Sequence, residues 1–491
     1  METSQTKNKT PRNKKKILFG CLGAIGALAL IGGGIGIGYG IWYHQHKESK
    51  FIEKAIPITN EYYGFNGSKI TGFSQEVIAN PSLLTSFNTL DLNNKDIDGD
   101  ASFSPRVFTE WKCWKVSLAS TKFHFNSSGQ SGYEVFAYCN LSSVIQLDLT
   151  NADFASSIST DLLSYTGQVY TAVDTFKCTN CFSLTTLNLS GAVFAASGMT
   201  SGNVYTASHT FSYVSFSSLI TLDLSGVVFA VERMTTGEVD TAYSTFDHAS
   251  FSSLTTLDLS GAVFAAGEMT TSSSVYTAHN TFYYVVFQSL TTLDLFGVVF
   301  AASEMTSGNI YTARYTFSYV SFSSLITLDL SGVVFAVERM TTSGDVHTAS
   351  STFNSAAFPS STTLILSGVF AVDGMTTSGD VYTASFTFGS IVSSSLITLD
   401  LFGAVFAVDG MTTSGEGASA YRTFDRCTIS NFSSLSLPQD QQGQTWTNTF
   451  EDSNYQPTGG TVHWNQYNSS SPNKPNSWTE AWFKNWTWIN Q

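Results

Sequence analysis

Proline is rare in this 491-residue chain, at 9, so long extended linkers are not expected between its parts. Charge is thin at 12%, yet 42% of the residues are hydrophobic. That pairing excludes a disordered chain, which needs low hydrophobicity and high charge. Basic residues are the scarcer sign, 23 against 37 acidic, and Lys7, Lys9, Arg12, Lys14, Lys15 and Lys16 crowd into the first 16 positions. The remainder holds 17 basic and 36 acidic residues, a net of −19. Such a body repels phosphate backbones, so nucleic acid is excluded as a partner class. Cysteine is sparse as well: Cys21 lies in an apolar run, and the other five, Cys113, Cys139, Cys178, Cys181 and Cys427, cannot all pair. Catalytic signatures are missing: no G-x-S-x-G, HExxH or phosphate loop occurs. His124, His209, His248, His279, His347 and His463 share neither a repeat position nor a metal-ligand spacing. No enzyme, no cofactor and no metal are expected.

One long apolar run does occur. Ile17 to Tyr43 is 27 residues without a charge, enough to span a bilayer with some tilt. Three lysines precede it, which predicts a cytoplasmic tail over 1–16, a transmembrane anchor over 17–43 and a body outside the membrane. Ala27-Leu28-Ala29 offers a competing signal-peptide cleavage site, against which the length of the run argues. Leu18-Phe19-Gly20-Cys21 has the outline of a lipoprotein box, but most of the apolar stretch follows its cysteine. Gly32, Gly36 and Gly40 recur every four residues, a spacing that lets membrane helices self-associate, although glycine is also common in such helices.

What the chain has in abundance is repetition. SLITLDLSGVVF at Ser218–Phe229 returns with small changes at Ser253–Phe264, Ser289–Phe300, Ser324–Phe335 and Ser395–Phe406, a period of 35 or 36 residues. A shortened copy fills Ser361–Phe370, and looser ones lie at Leu184–Phe194, Val144–Phe154 and Leu84–Ile97. A fixed period of this size means stacked units sharing one continuous core. Residues 211–236 and 317–342 are identical, which points to recent duplication.

Within one unit, Leu219, Leu222, Leu224 and Phe229 give the frame LxxLxLxxxxF of a leucine-rich repeat. Leu222-Asp223-Leu224 alternates with period two and reads as a short parallel strand, leucines inward and aspartate outward. Phe154, Phe194, Phe229, Phe264, Phe300, Phe335, Phe370 and Phe406 should stack as one spine. Phe176, Phe211, Phe246, Phe282, Phe317, Phe353, Phe388 and Phe424 should form a second. The second column lies in segments such as Val275–Phe282, expected as a short helix or turn on the outer face. The polar stretch 301–309 and its equivalents read as loops on one flank, their recurrent methionines covering the core edge.

Three polar features invite a site. Asp148, Asp223, Asp258, Asp294, Asp329 and Asp400 occupy one repeat position, with Asn188 and Ile365 as interruptions. On strands about 4.8 Å apart, neighbouring carboxylates repel by about 0.8 kcal/mol even in bulk water. This column is the candidate binding face, for cations or a cationic ligand, against the plainer reading of a solvated row. Asn94–Gly99 imitates the start of a calcium loop, but Pro105 stands where the bidentate Glu belongs. Cys178 and Cys181 form a lone CxxC with no second pair, while Cys139 and Cys427 each follow a repeat phenylalanine by three, which marks a repeat position. Six of nine tryptophans fall in the last 46 residues. Trp478, Trp482 and Trp486 lie four apart on one helical face, either a cap for the open core or an aromatic platform.

The strand phrase resembles that of the BspA-like leucine-rich-repeat surface proteins, whose units run close to SLTSLDLSNFDTS and then NVTDMSYMF, followed by a cysteine. SLTTLDLSGAVF matches the first phrase, VYTASHTF at Val204–Phe211 the second and Phe424–Cys427 the third. The likeness covers about Leu84 to Leu437; units here are some ten residues longer and have mostly lost the cysteine. It implies a surface location and adhesion or host-molecule binding, with no catalytic residues. The expected architecture is therefore an α/β leucine-rich-repeat solenoid of short parallel strands and short helices or turns, preceded by one transmembrane helix. A stalk is expected over 44–80, the repeat array over 81–437 and a Trp-rich cap or binding segment over 438–491. The expected function is binding of a host or neighbouring-cell surface or matrix protein; the alternative is envelope glycan binding through the Trp-rich end.

Overall fold

The computed structural model describes residues 54–436, apart from 156–166 and short stretches of up to six residues in the loops, together with strands 461–464 and 487–490. From Ile56 onward these residues form one unit. The coil that begins at Ser250 shows the plan: Ser250–Phe251, Thr256–Asp258, Ala266–Gly267 and Val275–Thr277 are strands of two or three residues. Each pairs in parallel with its equivalents in neighbouring coils. Leu222 pairs with Leu257, and Leu257 with Leu293, without a register slip. The chain is a parallel β-solenoid.

The leucine strands build a seven-stranded sheet that includes Thr89–Asp91 and Thr292–Asp294, and a six-stranded one opens at Thr327–Asp329. A nine-stranded sheet, from Gln130–Ser131 to Gly417–Ser419, carries the Val-Tyr-Thr strands on another side of the coil. The alternation that places Leu222, Leu257 and Leu328 in the core leaves Thr221 and Asp223 half-exposed.

Among the described residues both expected phenylalanine columns are present; Phe370 and Phe406 of the first lie outside them. Phe194, Phe229, Phe264, Phe300 and Phe335 stack with centroids 4.8–5.1 Å apart. Phe176 to Phe424 stack likewise, with planes within 9° of parallel. Phe216, Phe251, Phe287, Phe322 and Phe358 form a third buried column that the repeat reading passed over. Each stacked pair contributes about 0.5–1.5 kcal/mol beyond area burial. Aromatic stacking along the axis therefore couples every coil to the next.

The expected α/β character is corrected. Among the described residues, the only α-helices are Gln75–Ala79 and Pro105–Glu110, both ahead of the regular coils. The outer segment Val275–Tyr284 instead runs as a strand followed by left-handed residues at Ala278, Asn280 and Tyr284, with φ of 53°, 55° and 54°. A helix requires consecutive right-handed residues, each N–H bonded four residues back. Here the N–H of Phe282 donates to Thr316 O of the next coil at 2.8 Å. The buried threonine before each phenylalanine fixes this path. Thr210, Thr245, Thr281, Thr316, Thr352 and Thr387 donate from Oγ1 to Ala172, Ala207, Ala242, Ala278, Ala313 and Ala349 carbonyls at 2.6–2.9 Å. Coil-to-coil bonding replaces the helix.

The stretch expected as a stalk is folded from Ile56. Tyr63–Asn66 and Lys69–Phe73 form an antiparallel hairpin. Ser74 Oγ accepts the Val77 N–H at 3.4 Å and starts the short helix. Ile70, Phe73 and Val77 are buried, and Phe73 meets Phe103 edge-on at 5.0 Å. These apolar side chains cover the first open coil, as a solenoid end requires. At the other end, Thr461–Trp464 and Thr487–Asn490 continue the leucine-strand sheet. Among the described residues, no helix is long and apolar enough to cross a membrane. Residues 17–43, with Gly32, Gly36 and Gly40, lie outside the described residues, as do the recurrent methionines.

Candidate functional site

The aspartate column is present but serves the turn. Asp223 Oδ1 accepts Ser225 N–H at 2.9 Å and Ser225 Oγ–H at 2.6 Å. Asp148 does the same with Thr150. Asp258, Asp294 and Asp329 each accept the N–H two residues on, at 2.8–2.9 Å, and Asn188 accepts that of Ser190. A carboxylate or amide that holds an N–H two residues ahead turns the chain out of its strand, which Asn does as well as Asp. Asp223, Asp258 and Asp294 are in register on neighbouring strands. Asp148 stands one strand off, beyond Asn188, and Ile365 separates Asp329 from Asp400. The six aspartates are thus not one unbroken face.

The calcium-like segment forms a strand over Asp96–Ser102. Its carboxylates take protein partners: His124 Nε2 meets Asp96 at 2.8 Å, Asn66 donates to Asp98 at 3.0 Å, and Asn126 donates to Asp100. Among the described residues, no group of three metal-ligating side chains gathers. Cys139 and Cys427 are buried, their thiols directed at Phe103 O and Phe388 O of the preceding coil at 3.2 and 3.1 Å. They occupy one repeat position, as their offset implied. Cys181 is buried and Cys178 exposed, and both are free. Trp478, Trp482 and Trp486 lie outside the described residues.

A second polar face was legible but overlooked. On seven successive three-residue strands of the nine-stranded sheet, the middle residue is Tyr170, Tyr205, Asp240, Tyr276, Tyr311, His347 or Tyr382, and Ala418 takes the place on the last strand. Tyr170 and Tyr205 stack at 5.4 Å, Tyr276 and Tyr311 at 5.0 Å, and His347 lies 5.3 and 5.2 Å from Tyr311 and Tyr382. Beside this column, Arg314 sits over Tyr311 and Tyr315, 4.7 and 4.8 Å from the ring centroids. A parallel exposed column runs Tyr213, His248, Tyr284, Tyr319, all with positive φ. Two of the histidines that shared no repeat position, His248 and His347, thus take the place of a tyrosine in two different columns.

Buried polar atoms without partners gather here: Asp240 Oδ1, His279 Nδ1 and His347 Nδ1. Burial, and then the Arg314 charge, lower the His279 pKa to about 3 and that of His347 to about 4, so both rings are neutral. Burial, and then the neighbouring Glu238, push the Asp240 carboxyl up to about 7. The arrangement offers ring edges, hydroxyls, one stacked guanidinium and one recessed carboxyl, a recognition chemistry rather than a proton-transfer pair.

No family model, no curated protein and no solved structure matches this chain.

Proposed function

We propose that this is a membrane-anchored, outward-facing repeat protein of the BspA-like kind that binds a host or neighbouring-cell surface protein without catalysis. The observation that carries the reading is the outer side of the leucine-strand sheets. There a polar Thr and Asp lattice is flanked by exposed apolar residues at the strand ends: Ile326 and Ile397, 52% and 46% exposed, directly precede Thr327–Asp329 and Thr398–Asp400, and Phe296, 71% exposed, lies just beyond Thr292–Asp294. Large side chains held at the ends of stacked strands suit an extended protein partner, since large apolar anchors in the centre of a contact carry much of protein recognition. The anchor over 17–43 and the acidic body agree with an extracellular role. The glycan-binding alternative depends on Trp478, Trp482 and Trp486, and nothing in the described face adds to it.

Cells displaying the full-length protein should adhere to host cells or matrix in a manner that Ile326→Glu and Ile397→Glu reduce together. Unchanged adhesion by a folded double variant would refute the leucine-strand face as the contact. Loss of adhesion on deleting 438–491, with the double variant still adherent, would transfer the activity to the Trp-rich end.

A further inference from the structure

The leucine-strand wall is parted at one junction. Among the described residues, the leucine strands from Thr89–Asp91 to Thr292–Asp294 form one paired ladder and those from Thr327–Asp329 onward another, but Thr292–Asp294 and Thr327–Asp329 do not pair with each other. The rest of the same two coils is closed. Val286–Phe287, Ala302–Ser303, Thr306–Ser307 and Ile310–Thr312 pair in register with Ser321–Phe322, Val337–Glu338, Thr341–Thr342 and Val346–Thr348. At paired junctions the residue after the strand bonds to the next coil: Leu224 N–H donates to Asp258 O, Leu259 N–H to Asp294 O and Leu330 N–H to Ile365 O, at 2.8–2.9 Å. The N–H groups of Leu295 and Gly297, and that of Ile326 before the next strand, have no such partner. Leu293 is 8% exposed where Leu257 and Leu328 are at 0%. The third phenylalanine column stretches at the same junction, with Phe287 and Phe322 5.6 Å apart against 4.9 Å for Phe216 and Phe251 and 5.1 Å for Phe322 and Phe358.

Strand composition does not explain the gap. TTLNL at Thr185–Leu189 pairs with ITLDL at Ile220–Leu224, and the parted strands carry TTLDL and ITLDL. The departure comes one residue later: Ser190, Ser225, Ser260 and Ser331 stand where this coil has Phe296. Phe296 is 71% exposed and its ring reaches the following coil, where a Cβ built on Gly332 would lie 3.6 Å from two ring carbons. The corresponding places at Gly226 and Gly261 have nothing within 4 Å. A serine takes little room between successive turns, whereas an aromatic ring in van der Waals contact with the next one does. Phe402 shares the repeat position, but Gln439 stands where the next coil would need glycine, so the seat at Gly332 has no counterpart there. We propose that Phe296 is a wedge that holds the leucine wall open between Thr292–Asp294 and Thr327–Asp329, and that withdrawal of its ring lets the two strands pair. Closure returns partners to three N–H groups and seals Leu293, and the other strands of both coils are already in register for it. Open and closed are thus two arrangements of one short segment, a switch that needs no rearrangement of the remaining coil. The wedge is defined by the pairing pattern and does not depend on what the wall binds.

Amide hydrogen exchange on the full-length protein in mild detergent tests the wedge. An amide without an acceptor needs no opening step, so Leu295 and Gly297 should exchange at least about a hundredfold faster than Leu259 and Gly261. Phe296→Ser should slow them to the rates of Leu259 and Gly261. Ile326→Thr, which removes the exposed aliphatic group on the other side of the gap, should leave them fast. A second readout is chemical. With Cys178→Ser removing the exposed thiol, Leu293→Cys should be labelled by a small thiol reagent faster than Leu257→Cys, and adding Phe296→Ser should remove the difference. Equal exchange at Leu295 and Leu259 in the parent, fast exchange that persists in Phe296→Ser, or the same slowing by Ile326→Thr would each overturn the assignment. Serine occupies this position in four other coils, and protection retained at Leu259 and Gly261 excludes unfolding as the cause of fast exchange in the variant.

Discussion

Replacing Asp240 by asparagine should change stability in a way that depends on pH. The carboxyl is buried, lacks a partner at Oδ1 and titrates near 7 in the folded chain, against 3.8 as the ordinary value. The folded state therefore holds the proton more tightly than the unfolded state. Between about pH 4 and 7 the unfolded chain has released it while the folded chain keeps it, so rising pH removes stability across that window. Below the window both states are protonated, and above it both are ionised. Each pH unit corresponds to about 1.4 kcal/mol, so the loss by pH 8 is about 4 kcal/mol. The asparagine side chain has the same shape and no proton to release. Amide hydrogen exchange of Val239–Thr241, compared between variant and parent at matched pH, should give nearly equal protection at pH 4. At pH 8 the variant should be protected about 10³-fold more. His279 and His347 titrate in both proteins and cancel in the comparison. A ratio that stays flat from pH 4 to 8 would mean that Asp240 is hydrated and titrates normally.

Three further outcomes follow from the coil-to-coil contacts. Thr281→Val removes the donor to Ala242 O at 2.9 Å, and should cost about 1–3 kcal/mol in urea denaturation where Thr281→Ser costs less, because a buried carbonyl loses its partner. Asp258→Asn should leave stability nearly unchanged, since the amide oxygen can accept the Ser260 N–H as Asn188 accepts that of Ser190, whereas Asp258→Ala should lose about 1 kcal/mol; equal losses would restore a charge-based role for the column. His347 is held neutral down to about pH 4 against 6.5 when unfolded, so it contributes stability above 6.5 that is lost as pH falls toward 4. His347→Tyr should therefore flatten the acid limb of the melting-temperature profile, an effect visible by circular dichroism.

The solenoid was legible because its code is redundant. Leu222, Leu257 and Leu293 sit at one phase of a period-two pattern in every unit, and Phe229 and Phe282 return often enough to announce spines. The outer path was misread for a physical reason. Segments such as Val275–Phe282 lack Gly and Pro, and although Asn280 tolerates the left-handed region, nothing marks Ala278, at φ 53°, for a conformation that L-amino acids with side chains rarely adopt. Only the neighbouring coil makes such a path favourable, by accepting the Phe282 N–H and offering the Ala242 carbonyl to Thr281. Such tertiary override is invisible to local propensity. The hairpin at Tyr63–Phe73 was missed because it belongs to no repeat. The aspartate column was visible as a column, but its task of accepting an N–H two residues ahead required atomic distances.

The contrast between the two polar columns shows how function can be read in a stacked repeat. A residue repeated in every coil is explained by stacking: Thr281 and its equivalents bond coil to coil, and Asp258 and its equivalents shape a turn. Their recurrence is evidence of structural duty and weak evidence of ligand binding. A residue that departs from its column forfeits those contacts, and the chain retains it at a cost in stability. Asp240 forfeits two ring stacks and leaves a buried oxygen without a partner. Ile365 in the aspartate position forfeits only a turn contact and buries nothing polar, so its cost is small. By this criterion the chemistry of the chain is concentrated where the repeat fails at a cost, around Asp240, His279 and Arg314, rather than where the repeat is most regular.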